Sequence, residues 1–141
     1  MKPNSLAREL SLKFLYQCET EKIYYFSENH FNSFTSYFKY PPEVIVRAKH
    51  LCKGVFEKIE SIDQHIEQAS EKWSLDRMAI IDKSCIRIGV FELTEGQEPK
   101  KVVLNEAIEY SKQYGSAQSG AFVNGILDKI AVKLCSKTGT A

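Results

Sequence analysis

Apolar residues recur at helical spacing along most of the chain. Leu6, Leu10 and Phe14, with Leu12, Leu15 and Tyr16, mark a first helix from Ser5 to about Glu21, and Asn4 or Ser5 after Pro3 suits its cap. Phe31, Phe34, Tyr37 and Phe38 place a second between Ser27 and Tyr40, with its aromatics expected in the core. Pro41-Pro42 ends it, because a residue before proline is pushed out of the helical region, and Pro42 can open the next helix. Val44, Ile45, Ala48, Leu51, Cys52, Val55 and Phe56 carry that third helix from Glu43 to about Lys58, and Gly54 marks a close crossing. The pattern resumes at Ile59, Ile62, Ile66 and Ala69. A bend or break is expected near Ser61, since Ser61-Ile62-Asp63-Gln64 fits a capping start.

Trp73-Ser74-Leu75-Asp76 interrupts the run, and Met78, Ile81, Cys85, Ile86, Ile88, Gly89 and Leu93 then build a strongly apolar helix, the expected buried axis. Met78, Ile81, Cys85, Ile88 and Leu127 have the most continuous stripes and are expected to be buried. Pro99 restarts the chain after a polar loop. Leu104, Ala107, Ile108, Ser111 and Tyr114 form one more stripe, halting at Gly115, the residue type best able to take a left-handed stop. Ser116 or Ser119 caps the last helix, whose stripe is Phe122, Ile126, Ile130 and Leu134. That stripe passes through Asn124-Gly125, although glycine inside a helix costs ~1 kcal/mol relative to alanine. Gly125 is therefore expected to permit a close backbone approach, and Asn105 and Asn124 to serve structure through buried amide hydrogen bonds. No period-two alternation or hairpin turn occurs. The fold class is all-α: seven helices in two packed helical subdomains, a three-helix bundle over about 1–58 and a four-helix bundle over about 59–135. The tail from Ser136 to Ala141 is expected to be disordered.

With 141 residues, 43% of them apolar, the chain can bury a core. No stretch reaches the ~18 apolar residues of a membrane helix, and the start MKPNSLAREL lacks a secretory h-region, so a cytoplasmic protein with no membrane partner is expected. Cys18, Cys52, Cys85 and Cys135 are widely spaced and read as buried reduced thiols, and the three histidines share no ligand spacing. Neither metal nor cofactor is expected. No phosphate loop, nucleophile elbow or His–Cys set suggests an enzyme. The net charge of +1 requires any nucleic-acid site to be local. Tyr114 and Phe122 flank the last helix junction, where aromatic rings, amides and basic side chains supply what single-stranded RNA needs: stacking, base-edge hydrogen bonds and phosphate contacts. On residue type and position alone, Phe122 is more often a core residue than a stacking platform.

The motifs NEAIE (105–109), FVNGILDK (122–129) and IRIGVFEL (86–93), together with Trp73 and the stretch from Arg77 to Asp82, resemble the NusB family of bacterial transcription antitermination factors. The likeness covers roughly residues 70 to 132. Towards the N-terminus it thins to Ala7-Arg8 and Leu15-Tyr16-Gln17, and residues 20 to 60 add only a compatible helical pattern. The resemblance implies a pair of helical bundles that binds the boxA RNA of ribosomal RNA leaders, pairs with the small-subunit ribosomal protein NusE, and joins the RNA polymerase antitermination complex. By residue match it implies an RNA set of Lys2, Arg8, Tyr16, Arg87, Tyr114, Gln118 and Phe122. Asp82 and Lys83 fall on the helix that approaches NusE.

Two departures stand out. Family members often begin with a run of arginines where this chain has Lys2 and Arg8, and position 118 is Gln where an acidic residue is frequent. Fewer phosphate contacts weaken binding and flatten its salt dependence, while loss of an acid acts in the opposite direction. Two other readings are a protein-interaction adaptor without RNA binding and a relative of the helical RNA-binding domain of ribosomal RNA cytosine methyltransferases. Chain length argues against the latter, which adds a catalytic α/β domain.

Overall fold

The computed structural model describes the backbone of residues 2–138 and the side chains of residues 2–134. Among these the chain forms seven α-helices and no strand: α1 (Pro3–Glu21), α2 (Glu28–Thr35), α3 (Pro42–Glu57), α4 (Ile59–Ala69), α5 (Ile80–Glu95), α6 (Lys100–Tyr114) and α7 (Ser119–Thr138). One 3₁₀ turn, Leu75–Arg77, precedes α5. No described helix is long and apolar enough to cross a membrane.

Proline opens both α1 and α3, where its missing N–H is no loss. Ser27 caps α2 by accepting from the His30 N–H at 3.3 Å. α2 ends at Thr35, short of Tyr40, as the Thr35 and Ser36 hydroxyls turn back onto the carbonyls of Asn32 and Ser33. Phe31, Phe34 and Phe26 gather round the fully buried Phe14, with Phe14–Phe31 ring centroids 5.1 Å apart. Tyr37, in contrast, is exposed, so one of the expected core aromatics faces out.

The break between α3 and α4 falls at Lys58 rather than Ser61. Its backbone (φ −112°, ψ 20°) leaves the helical region, and its carbonyl accepts from the Ile62 N–H to start α4. α5 is the axis, packed against α1, α3, α4, α6 and α7. A Cβ at Gly54 would overlap the Phe91 ring, and one at Gly89 would lie 2.9 Å from Leu127 Cδ1, so both glycines mark where α5 meets a neighbour. Met78, Cys85, Ile88 and Leu127 are buried as expected, whereas Ile81 is half-buried. Cys18, Cys52 and Cys85 are buried free thiols, and burial pushes Cys18 and Cys85 up to about 12. The expectation for Cys135 lies outside the described side chains. α7 runs to Thr138, which corrects the disorder expected from Ser136, and residues 139–141 of that expectation lie outside the described residues.

Three local expectations need correction. Gly115 is extended (φ −102°, ψ −157°), not left-handed, and a side chain there would collide with Ser119 Oγ and the Ser111 carbonyl. A Cβ at Gly125 would meet nothing within 4 Å, so no element among the described residues approaches it closely. Asn105 and Asn124 are exposed and their side chains make no hydrogen bond among the described residues, contrary to the buried structural role expected of them.

Candidate nucleic-acid interface

The arginines of the expected RNA set are engaged inside the fold. Arg8, 5% exposed, lies on the α1 face that carries Leu12 and Leu15 into the core, and grips Glu92 of α5 with two bonds, Nε–Oε1 2.7 Å and Nη2–Oε2 2.8 Å. Its remaining donors reach Glu106 at 2.9 Å and Glu98 at 3.2 Å. Glu92 is 2% exposed. Burial favours the neutral form of Arg8, but the bonds and charges of Glu92 and Glu106 outweigh it and hold the guanidinium more firmly protonated than usual. The same Glu106 takes a 2.5 Å bond from Ser5. Arg87 forms a second lock: it holds both oxygens of Asp63 on α4, at 2.9 and 3.0 Å, and Glu19 of α1 at 2.9 Å. Both arginines therefore join helices inside the fold, with their donors taken by carboxylates.

The expected partner pair is also turned inward. Lys83, 7% exposed, lies 3.2 Å from Glu19, so its charge is already matched. Asp82 is 8% exposed and lines a cleft instead of facing outward.

The remaining candidates converge. Tyr16 of α1 and Tyr114 at the end of α6 line one cleft of about 350 Å³ with Leu12, Lys13, Gln17, Phe34 and Ile81. Gln118 and Phe122 line a second, of about 230 Å³, with Trp73, Arg77, Met78, Ala79 and Asp82. Ile81 and Asp82 are neighbours in the first turn of α5, so the two clefts flank that helix start. The half-buried Phe122 ring packs against the core and also lines a third, about 270 Å³ groove shared with Trp73, Gly125 and Lys129. Lys2, exposed beyond the start of α1, stands apart from all three.

The tyrosine platform is held in place. Glu9 accepts from Tyr114 OH at 3.0 Å and from Tyr40 OH at 2.6 Å, and Tyr40 in turn accepts from Lys13 Nζ at 3.0 Å. Burial, then the Glu9 bonds, push both phenols above their ordinary range, so they remain donors at neutral pH. Tyr114 also stacks on Tyr110, with centroids 6.4 Å apart and planes at 21°. At the α6–α7 junction Ser119 Oγ accepts from the Ser116 N–H at 2.9 Å, closing the turn that presents Gln118. Aromatic faces, amides and a few cations in shallow clefts suit unpaired bases better than a charged duplex backbone.

The sequence reading left Trp73, Arg77 and Gln17 outside the site. Trp73 carried the available signal: a large aromatic in the polar run Glu71-Lys72-Trp73-Ser74, off every helical stripe, is poorly explained by a core.

Residues 5–132 match the model of the NusB family. A transcription antitermination protein NusB from Anaeromyxobacter dehalogenans is 43% identical over 129 residues, covering 89% of this chain and 87% of that one. The structure of Thermotoga maritima NusB superposes with a TM-score of 0.82 at 33% identity, covering 94% of this chain and 93% of that one. A crystal structure of antitermination factors NusB and NusE in complex with double-stranded RNA gives 0.81 at 25% identity, covering 94% and 98%.

Proposed function

The chain belongs to the NusB family, and from that premise we propose that it binds boxA-type RNA of ribosomal RNA leader transcripts together with NusE, within the cytoplasmic antitermination complex of RNA polymerase. Its work is assembly rather than catalysis. The observation that carries this reading is the convergence of Tyr16, Tyr114, Gln118 and Phe122, from α1, α6, α7 and the turn before α7, on two clefts beside the start of α5. Residues far apart in sequence come together with the rings and amides that unpaired bases require, and the related NusB–NusE complex with double-stranded RNA supports RNA and NusE as the partners.

The electrostatics shape how such binding works. The chain has only four arginines, and Arg8 and Arg87 are neutralised by carboxylates. Lys13, Arg77, Lys72 and Lys129 remain as the cations lining the clefts and the groove, while Lys2 stands apart from them. Affinity for RNA alone is therefore weak with a shallow salt slope, and NusE supplies positive charge. The inward turn of both arginines also favours, as a second reading, an adaptor that holds NusE while RNA engages elsewhere. The test is fluorescence anisotropy with a labelled boxA-type RNA and a scrambled RNA of equal length, with and without NusE. The RNA reading expects sequence-selective binding that tightens with NusE. Binding of NusE with no gain for either RNA supports the adaptor and overturns the proposal.

A further inference from the structure

We propose that the cleft between Trp73 and Phe122 is a base-reading subsite in which the carboxylate of Asp82 selects a nucleobase with hydrogen-bond donors on its pairing edge, guanine above all. The inference rests on the RNA reading and adds to it a specificity element. Its walls are aromatic: Trp73, 48% exposed, stands in the turn before α5, Phe122 rises from α7, and both rings line the cleft and the groove beyond it. An exposed tryptophan at the meeting point of two concavities is a typical anchor for a flat ligand. The volume of about 230 Å³ falls below the roughly 300–1,000 Å³ of pockets that take drug-sized molecules, which fits a single heterocycle.

Asp82 supplies the chemistry. It is buried, yet its Oδ1 has no hydrogen-bond partner among the described residues, whereas the more deeply buried Glu92 is gripped by Arg8. Among the described residues His30 Nδ1 and Glu95 Oε1 share this state, but of the three only Asp82 lines a cleft between two aromatic rings, where a ligand's donors can complete it. An ionised carboxylate only accepts. Guanine offers N1–H and the N2 amino group side by side, a pair of donors matched to the two carboxylate oxygens once a side-chain rotation turns the buried Oδ1 towards the cleft. Cytosine and adenine offer one amino group each, and the N3–H of uracil sits between two carbonyl oxygens that the carboxylate repels. Gln118 and Arg77 line the same cleft and add an amide and a cation for the rest of the nucleotide. Gly125, in the adjoining groove, points the same way: no described residue fills the space beside it, so a ligand can approach the α7 backbone there.

Trp73 is the only tryptophan of the chain, so the protein's tryptophan emission reports on the surroundings of this one ring. The intact protein is titrated with a labelled boxA-type single-stranded RNA, and with versions in which each guanine is replaced in turn by uracil. Anisotropy and tryptophan emission are read together, first without and then with NusE, and Trp73→Phe serves as the emission blank. The expected result is quenching of Trp73 on binding and about tenfold weaker binding for one of the replacements, the usual size of a good bidentate base contact. In Asp82→Asn that replacement should cost less than twofold, with circular dichroism unchanged. Trp73→Ala should weaken binding about tenfold and Trp73→Phe restore most of it. RNA bound with Trp73 emission unaltered, or Asp82→Asn discriminating as the native protein does, overturns the subsite and leaves the RNA reading standing. Quenching by NusE alone assigns the cleft to the protein partner and overturns it too. Absence of RNA binding with and without NusE removes both.

Discussion

Replacing Arg8 separates an internal lock from an RNA contact. In Arg8→Ala, Glu92 loses bonds of 2.7 and 2.8 Å while remaining 2% exposed, and the nearest remaining cation is Arg47 Nη2 at 3.8 Å. Breaking a buried pair by removing one partner costs ~3–5 kcal/mol, because the other charge is stranded. Glu106 and Glu98 lose a partner as well, but both are more exposed and add less. Such a loss is a large share of the ~5–15 kcal/mol by which domains are stable. Urea denaturation followed by circular dichroism reads it as a lowered midpoint at similar slope. Converting both Arg8 and Glu92 to Met should recover most of the loss, since an apolar pair of similar volume has no charge to strand. RNA affinity of the folded Arg8→Ala protein, measured cold, should stay within about twofold of the parent, because no phosphate contact is removed. An unchanged midpoint with RNA binding weakened tenfold would refute the lock and return Arg8 to the RNA surface.

Phe122→Ala should weaken RNA binding by ~1–3 kcal/mol and cost less stability than the ~3–5 kcal/mol of a fully buried phenylalanine, with Trp or Tyr restoring affinity; early melting with normal RNA binding in the cold would make it a core residue only. Gly54→Ala adds a Cβ inside the Phe91 ring and should lower stability by ~1–3 kcal/mol despite better helix propensity, and a melting temperature at or above the parent's would deny the α3–α5 crossing. Burial raises the Glu19 carboxyl, but the Tyr24 bond and the Lys83 and Arg87 contacts outweigh it and leave it below its ordinary value. Its contribution is therefore complete above the unfolded value of about 4.3 and lost as pH falls through the lower folded value. Glu19→Gln should lose less stability than the parent on acidification below about pH 4, and equal losses would show that Glu19 is not the group responsible.

The helices were legible because burial imposes a period, and α1, α3, α5 and α7 lie where their stripes and prolines place them. The boundary at Lys58 was misplaced because Ser61 offers a cap that the backbone does not use. Polar pairing was harder to read. Arg8 and Glu92 are 84 residues apart, and nothing in either helix alone shows that the guanidinium points inward. The hint was positional: Arg8 precedes Leu12 by four residues on a buried face, where a charge must find a partner. Tyr16, Tyr114, Gln118 and Phe122 were legible as residue types through family resemblance. That they share two clefts, and that Trp73 and Asp82 join them, depends on the α5 start being packed between α1 and α7, which no local pattern contains.

The central claim is that RNA is held at these clefts while Arg8 and Arg87 hold the fold. Heteronuclear NMR of the isotope-labelled protein, titrated with boxA-type RNA in the presence of unlabelled NusE, tests it residue by residue. The account predicts that the amides of Tyr16, Tyr114, Gln118 and Phe122 and the Trp73 indole N–H shift together as RNA is added, while the Nε–H resonances of Arg8 and Arg87 stay in place. Shifts concentrated at the two arginine side chains, or on α3 away from the clefts, would contradict it.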